Sequence, residues 1–140
     1  DSVVRFYLDH LKGINNWDLV DLSAPYILGD HLVGQKDRKV LYDLARSSVI
    51  WEQRIAVVST LMLIRHGSFS DTIALAKLFL DTRYDLMQKA VGWMLREVGK
   101  RDRALLTEFL ENHKQEMPRT MLRYAIERFT PEERRHFMLK

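Results

Sequence analysis

Trp17 and Asp21 stand four residues apart in the segment Asn15-Asn16-Trp17-Asp18-Leu19-Val20-Asp21. On a helix capped by Asn16 they share one face, while Leu19 and Leu22 point roughly the other way. A carboxylate beside an indole suits a positively charged, electron-poor ligand. The ring offers its face to a cation or to polarised C–H groups, and the carboxylate offers charge. The same residues also fit a blander arrangement, in which Trp17 anchors a core and Asp18 and Asp21 favour the positive end of a helix dipole.

A second group lies between Asp85 and Lys100. Met87, Val91, Met94 and Val98 fall at i, i+4, i+7 and i+11 and form one apolar stripe, which must face a core. Lys89, Trp93, Arg96 and Lys100 repeat the same spacing on a face about 160–200° away. An indole among cations, turned away from the core, suits a sugar–phosphate backbone. Cations neutralise phosphate, and a ring covers a sugar or base. The alternative is that Trp93 packs on a neighbouring helix and the cations are solvated.

The third group is Glu52, Gln53 and Arg54, which open a segment that is otherwise apolar almost all round from Ile50 to Gly67. An arginine near a helix N-terminus sits at the unfavourable end of the dipole. A bound phosphate would reverse that cost. So would a salt bridge to Glu52 or to an aspartate elsewhere.

Other chemistries find little support. The sequence has no cysteine, which excludes disulfides, thiol catalysis and cysteine-ligated metal. His10, His31, His66, His113 and His136 show no HxxxH or HExxH spacing, so no metal and no cofactor are expected. Asp18 and Asp21 alone are too few for a hard cation. The glycines form neither a P-loop nor a dinucleotide fingerprint, and there is no Gly-x-Ser-x-Gly elbow. No segment approaches the roughly 18 apolar residues of a membrane span. The net charge of +3 permits nucleic-acid binding without requiring it. The start at Asp1 shows no signal-peptide pattern.

The elements that must hold these groups read as helices throughout, with no alternating run that suggests a sheet. The expected helices cover about 2–12, 16–22, 24–34, 38–46, 50–66, 71–81, 85–100, 103–114, 118–128 and 131–138. Thr130-Pro131-Glu132-Glu133 carries the clearest start, a capping box with proline at the first helical position. Ser23-Ala24-Pro25 and Ser70-Asp71 resemble other starts, and Gly67 and Gly99 other ends. Short connections predict antiparallel neighbours. Trp51-Glu52-Gln53-Arg54-Ile55-Ala56 aligns with Leu86-Met87-Gln88-Lys89-Ala90-Val91, and a third copy follows near Met121-Leu122-Arg123-Tyr124-Ala125. Helix pairs repeating in the mid-thirties predict an α-solenoid, with a closed bundle as the alternative. One cation per repeat on a concave face would track a phosphate backbone.

Four blocks, in order and spacing, resemble the AlkD-type DNA alkylation repair enzymes. They are Trp17-Asp18-Leu19-Val20-Asp21, Gly29-Asp30, Trp51-Glu52-Gln53-Arg54 and Gln88-Lys89-Ala90-Val91-Gly92-Trp93-Met94-Leu95-Arg96-Glu97. Beyond Lys100 the likeness is one of helical organisation. The resemblance implies an all-α fold, a right-handed solenoid of antiparallel HEAT-like helix pairs forming a single domain over 1–140. It also implies that this domain is the carboxyl-terminal portion of a longer chain. It implies a monofunctional glycosylase that removes N3- or N7-alkylated purines from double-stranded DNA in base excision repair. In that family's pattern Asp21 matches the catalytic carboxylate. Trp17 and Trp93 match the indoles that cradle the lesion's deoxyribose, and Arg54 matches a cation on a nearby phosphate. The assignment of Lys89 and Arg96 to the DNA backbone comes from the stripe itself. A monomer in the cytoplasm, associated with the nucleoid through DNA, is expected. The rival expectations are a non-catalytic DNA-structure-binding module and a protein–protein scaffold.

Overall fold

The computed structural model describes residues 2–9 and 17–139, and the regular structure among them is helical, without a strand. In chain order the elements are α1 (Ser2–Asp9), α2 (Trp17–Ala24), a π-helical turn (Pro25–Gly29), α3 (Asp30–Leu32), α4 (Lys39–Ala45) and α5 (Ile50–Arg65). They continue with α6 (Ser70–Leu78), α7 (Asp85–Arg101), α8 (Arg103–His113), α9 (Arg119–Ala125) and α10 (Pro131–Met138). The chain forms two compact units, residues 1–68 and 69–140.

In the first unit α5 is the buried element, as its all-round apolar sequence predicts. Ile55, Ala56, Val58 and Ile64 are at most 1% exposed. The helix ends as expected at Gly67, whose φ of +83° is open to glycine at little cost. The Gly67 amide donates to the Ile64 carbonyl, and the Ser68 amide donates to that of Leu63. This crossed pair is the Schellman closure of a helix C-terminus.

The expected break between helices at 16–22 and 24–34 does not occur. Ala24 has helical angles (φ −57°, ψ −47°) and Pro25 lies inside a continuous helical run, so Ser23-Ala24-Pro25 is not a helix start. Pro25 has no N–H to give to the Asp21 carbonyl. The chain accommodates it by widening one turn into a π-helix, in which the Asp30 amide reaches the Pro25 carbonyl. The Ser59 hydroxyl donates to the Ala24 carbonyl at 3.4 Å. Gly29 lies so close to the Ser59 carbonyl that a Cβ would collide with it. Asp21 meets Arg54, Ala24 meets Ser59, and Gly29 meets Ser59 and Met62. The partners rise together in number, so α2 and its π-turn run alongside α5 in the same direction.

The second unit repeats that relation. A Cβ on Gly92 of α7 would lie 2.5 Å from the Tyr124 Cβ and 2.6 Å from the Met121 carbonyl oxygen of α9. One turn further on, Arg96 pairs with Glu127. Again the partners rise together, and α9 runs parallel to α7. The apolar stripe of α7 faces the core as predicted, with Met87, Val91, Met94 and Val98 no more than 1% exposed. Gly99 is not a helix end, because α7 continues to Arg101. Its missing side chain instead admits Leu106 of α8 across the turn at Asp102. The capping box of α10 is present: the Glu133 amide donates to the Thr130 hydroxyl and the Thr130 amide to the Glu133 carboxylate. The Thr130 amide, Arg103 and the Thr130 hydroxyl together draw the Glu133 carboxyl from 4.5 down to about 2.

The sequence repeat has a counterpart in local geometry. Gln53 donates to the Ser47 carbonyl at 2.7 Å, and Gln88 donates to the Thr82 carbonyl at 3.0 Å. The Ser47 hydroxyl accepts from the Val49 amide, and the Thr82 hydroxyl accepts from the Tyr84 amide. Val49 (φ −91°, ψ 117°) and Tyr84 (φ −82°, ψ 119°) precede their helices with nearly the same backbone. Arg54 and Lys89 are therefore equivalent residues of two equivalent helix starts. The third copy begins after Pro118 and has no glutamine clamp.

Gly92 is where α7 and α9 touch. Gly92→Ala is expected to lower stability by about 1–3 kcal/mol, since the backbone carbonyl of Met121 cannot yield as a side chain would. Chemical denaturation checks this, and an unchanged midpoint contradicts the close crossing.

Candidate functional site

Asp21 is placed by α2 and Arg54 by the second turn of α5. The guanidinium takes the carboxylate with two parallel bonds. Arg54 Nε donates to Asp21 Oδ1 at 3.1 Å, and Nη2 donates to Oδ2 at 2.9 Å. This is the fork-on-fork geometry that makes arginine–carboxylate pairs both strong and directional. Of the partners open for Arg54 in the sequence (a phosphate, Glu52 or an aspartate elsewhere), the structure places it against an aspartate from a distant part of the chain. The pair also offsets the cost of a cation near a helix N-terminus.

The two partners are buried unequally. The Arg54 side chain is 6% exposed and that of Asp21 18%. Arg54 is the one charged residue in the buried set among the described residues. The arginine therefore grips the carboxylate from the protein side, and the carboxylate keeps part of its surface toward solvent. The Asp21 carbonyl has lost its ordinary helical donor to Pro25, so this stretch of helix is irregular one turn beyond the carboxylate.

Trp17 opens α2 one turn before Asp21, and its side chain lies outside the described residues, as do Asn16 and the side chain of Leu19. Lys89, Trp93 and Arg96 belong to the second unit and share the outward face of α7, with Trp93 partly exposed. Each cation of that face has a carboxylate partner. Lys89 pairs with Asp85 at 2.9 Å and Lys100 with Glu97 at 2.8 Å, while Arg96 pairs with Glu127. The first two pairs are legible in the sequence, since spacings of three and four bring side chains together on a helix. Glu127 carries no such signal, because its approach depends on how α9 lies against α7. Ser59, which takes the Ala24 carbonyl beneath the site, was equally hidden. Among the described residues, no three His, Cys, Asp or Glu side chains cluster as metal ligands. No helix there is long and apolar enough to cross a membrane.

A family model described as "DNA alkylation repair enzyme" matches residues 1–129. The chain belongs to that family. The match covers both members of the Asp21–Arg54 pair, the outward face of α7 and Glu127, and it stops short of α10. Membership gives the chain a role in the repair of alkylated DNA. A comparison with curated proteins returned no match.

The pair makes a stability prediction. Asp21→Ala leaves a nearly buried guanidinium without its anion and is expected to cost about 3–5 kcal/mol. Replacing both partners with apolar residues of similar volume, as in Asp21→Leu with Arg54→Met, is expected to recover most of that loss. Urea denaturation of the parent, the single variant and the double variant measures it. A single variant as stable as the parent contradicts a closed pair.

Proposed function

We propose that this chain is a monofunctional DNA glycosylase that hydrolyses the N-glycosidic bond of cationic N3- or N7-alkylated purines in double-stranded DNA. The observation that carries this reading is the Asp21 carboxylate, gripped from behind by Arg54 yet still partly open to solvent, in a chain of the alkylation repair family. A lone carboxylate on a mobile side chain would reorganise as charge develops beside it. One held by a bidentate guanidinium is already oriented.

Alkylation at N3 or N7 places a positive charge on the purine. The C1′–N bond then breaks with its electron pair going to the base, which leaves as a neutral species. Positive charge passes to the sugar as an oxocarbenium ion. A carboxylate about 4 Å away, at an effective dielectric near 20, stabilises that charge by roughly 4 kcal/mol. Gained only in the transition state, this is on the order of a thousandfold in rate. The nucleophile is water, which Asp21 also orients. Its oxygen bonds to C1′ and it gives up one proton. Trp17 and Trp93 take the roles of sugar-facing indoles, and Lys89 and Arg96 take backbone phosphates.

Arg54 is a positioning residue in this reading. The phosphate contact expected of it is proposed to add to the fork on Asp21, not to replace it, so that the carboxylate stays oriented when DNA arrives. The fold proposed to support this is a right-handed HEAT-like solenoid over 1–140. The parallel courses of α2 with α5 and of α7 with α9, and the matching starts of α5 and α7, favour it over a bundle. The protein is proposed to act as a monomer on DNA in the cytoplasm, without metal or cofactor.

One observation favours a second reading. A carboxylate closed into a bidentate pair also serves as a structural clasp between α2 and α5. The chain would then be a non-catalytic DNA-binding relative. Substrate choice separates the two. Methylated duplex DNA is expected to release free 7-methylguanine, and uracil-containing duplex is expected to release nothing, because uracil leaves as a poor, anionic group. Chromatography of the released bases measures both. Absence of 7-methylguanine, with duplex binding retained, favours the clasp.

A further inference from the structure

The outward face of α7 is less cationic than its sequence suggests. Lys89 and Lys100 carry carboxylates from their own helix, within one turn. Arg96 is different. Its partner Glu127 follows α9 and comes from 31 residues further along the chain. The close crossing at Gly92 brings α9 alongside α7 and delivers that carboxylate. Glu127 is the more exposed partner, 60% against 20% for Arg96. Whatever approaches Arg96 from solvent therefore meets a negative charge first.

A carboxylate and a phosphate make the same demand on a guanidinium, two acceptor oxygens in the plane of the fork. They compete for Arg96. We propose that Glu127 tunes affinity for DNA: it occupies Arg96 in the free protein and weakens the grip on the DNA backbone. This rests on the DNA-binding reading above and adds a regulator to the same surface. An exposed ion pair holds its partner only weakly, by up to about fivefold in an equilibrium constant. Any phosphate that takes Arg96 has to break the pair, so the pair lowers backbone affinity by that factor wherever Arg96 is engaged. Lower backbone affinity matters because undamaged sites outnumber lesions by many orders of magnitude, and a grip that is too tight would hold the protein away from its targets.

The test uses the full chain and a fluorescently labelled, undamaged duplex, titrated by anisotropy across a salt series. Glu127→Gln keeps the shape and removes the charge at an exposed position. It is expected to tighten binding by up to about fivefold at low salt. It is also expected to steepen the log–log salt dependence by about one, the value of one extra phosphate contact. Adding Arg96→Gln to Glu127→Gln is expected to erase both changes. Binding that is unchanged or weaker in Glu127→Gln overturns the proposal. So does a fall in melting temperature with affinity and slope unmoved, which would make Glu127 a strut between α7 and α9. Salt-dependent binding by the parent chain alongside an indifferent variant fails this proposal alone. If neither protein shows salt-dependent binding, the proposal and the DNA reading fall together.

Discussion

A guanidinium in the second turn of a helix otherwise surrounded by aliphatic side chains has to be answered by an anion, and Arg54 is answered by Asp21. That requirement fixes much of the first unit. It ties α2 to α5 at one level, and Ser59 and Gly29 tie the same two helices a few residues further on. The register of α2 against α5 then follows. So does the side of the helix on which the carboxylate stands. An uncompensated charge at this depth costs several kcal/mol, whereas the pair gives up only the part of its hydration that burial removes. The asymmetry of exposure gives the arrangement its chemical interest, since the cation is the anchor and the anion remains available.

Parallel helices about one repeat apart recur in both units. They need backbones to approach closely, and glycine supplies that at Gly29 and at Gly92, where an added Cβ would meet a carbonyl of the partner helix. The same close approach that builds the core determines what lies outside it. Because α9 lies flush on α7, Glu127 reaches Arg96, and the charge balance of the outward face is set by packing on the inner one. The matching glutamine clamps at Gln53 and Gln88 hold the two helix starts alike, which puts Arg54 and Lys89 in equivalent positions with different fates. One is buried on an aspartate from another helix. The other stays on the surface with a carboxylate from its own helix.

Much of this was legible in the sequence. The apolar stripe of α7, the buried character of α5, the end at Gly67 and the capping box at Thr130 follow from spacing and local chemistry. The four blocks around Asp21, Gly29, Arg54 and Trp93 point to the family by themselves. What could not be read depends on contacts between distant segments or on a compromise between rules. Pro25 reads as a helix start because proline often marks one. Packing of α2 and its continuation on α5 kept the helix going and forced a π-turn instead. Gly99 reads as an end, but it is a gap that Leu106 fills. The sequence leaves the partner of Arg54 open between a phosphate, Glu52 and an aspartate elsewhere, since nothing in it brings Asp21 near. Glu127 had no signal at all.

Asp21 either acts on the sugar or merely clasps Arg54. The direct measurement is the single-turnover rate of 7-methylguanine release by Asp21→Asn beside the parent chain. Both proteins must first be shown folded at the assay temperature and saturating on DNA. Asparagine keeps the shape and a hydrogen-bond acceptor for Arg54 but removes the charge that would face the oxocarbenium ion. The account predicts a fall on the order of a thousandfold with binding nearly intact. A rate within about threefold of the parent, a difference of well under 1 kcal/mol in the barrier, would contradict it and leave the carboxylate a structural clasp.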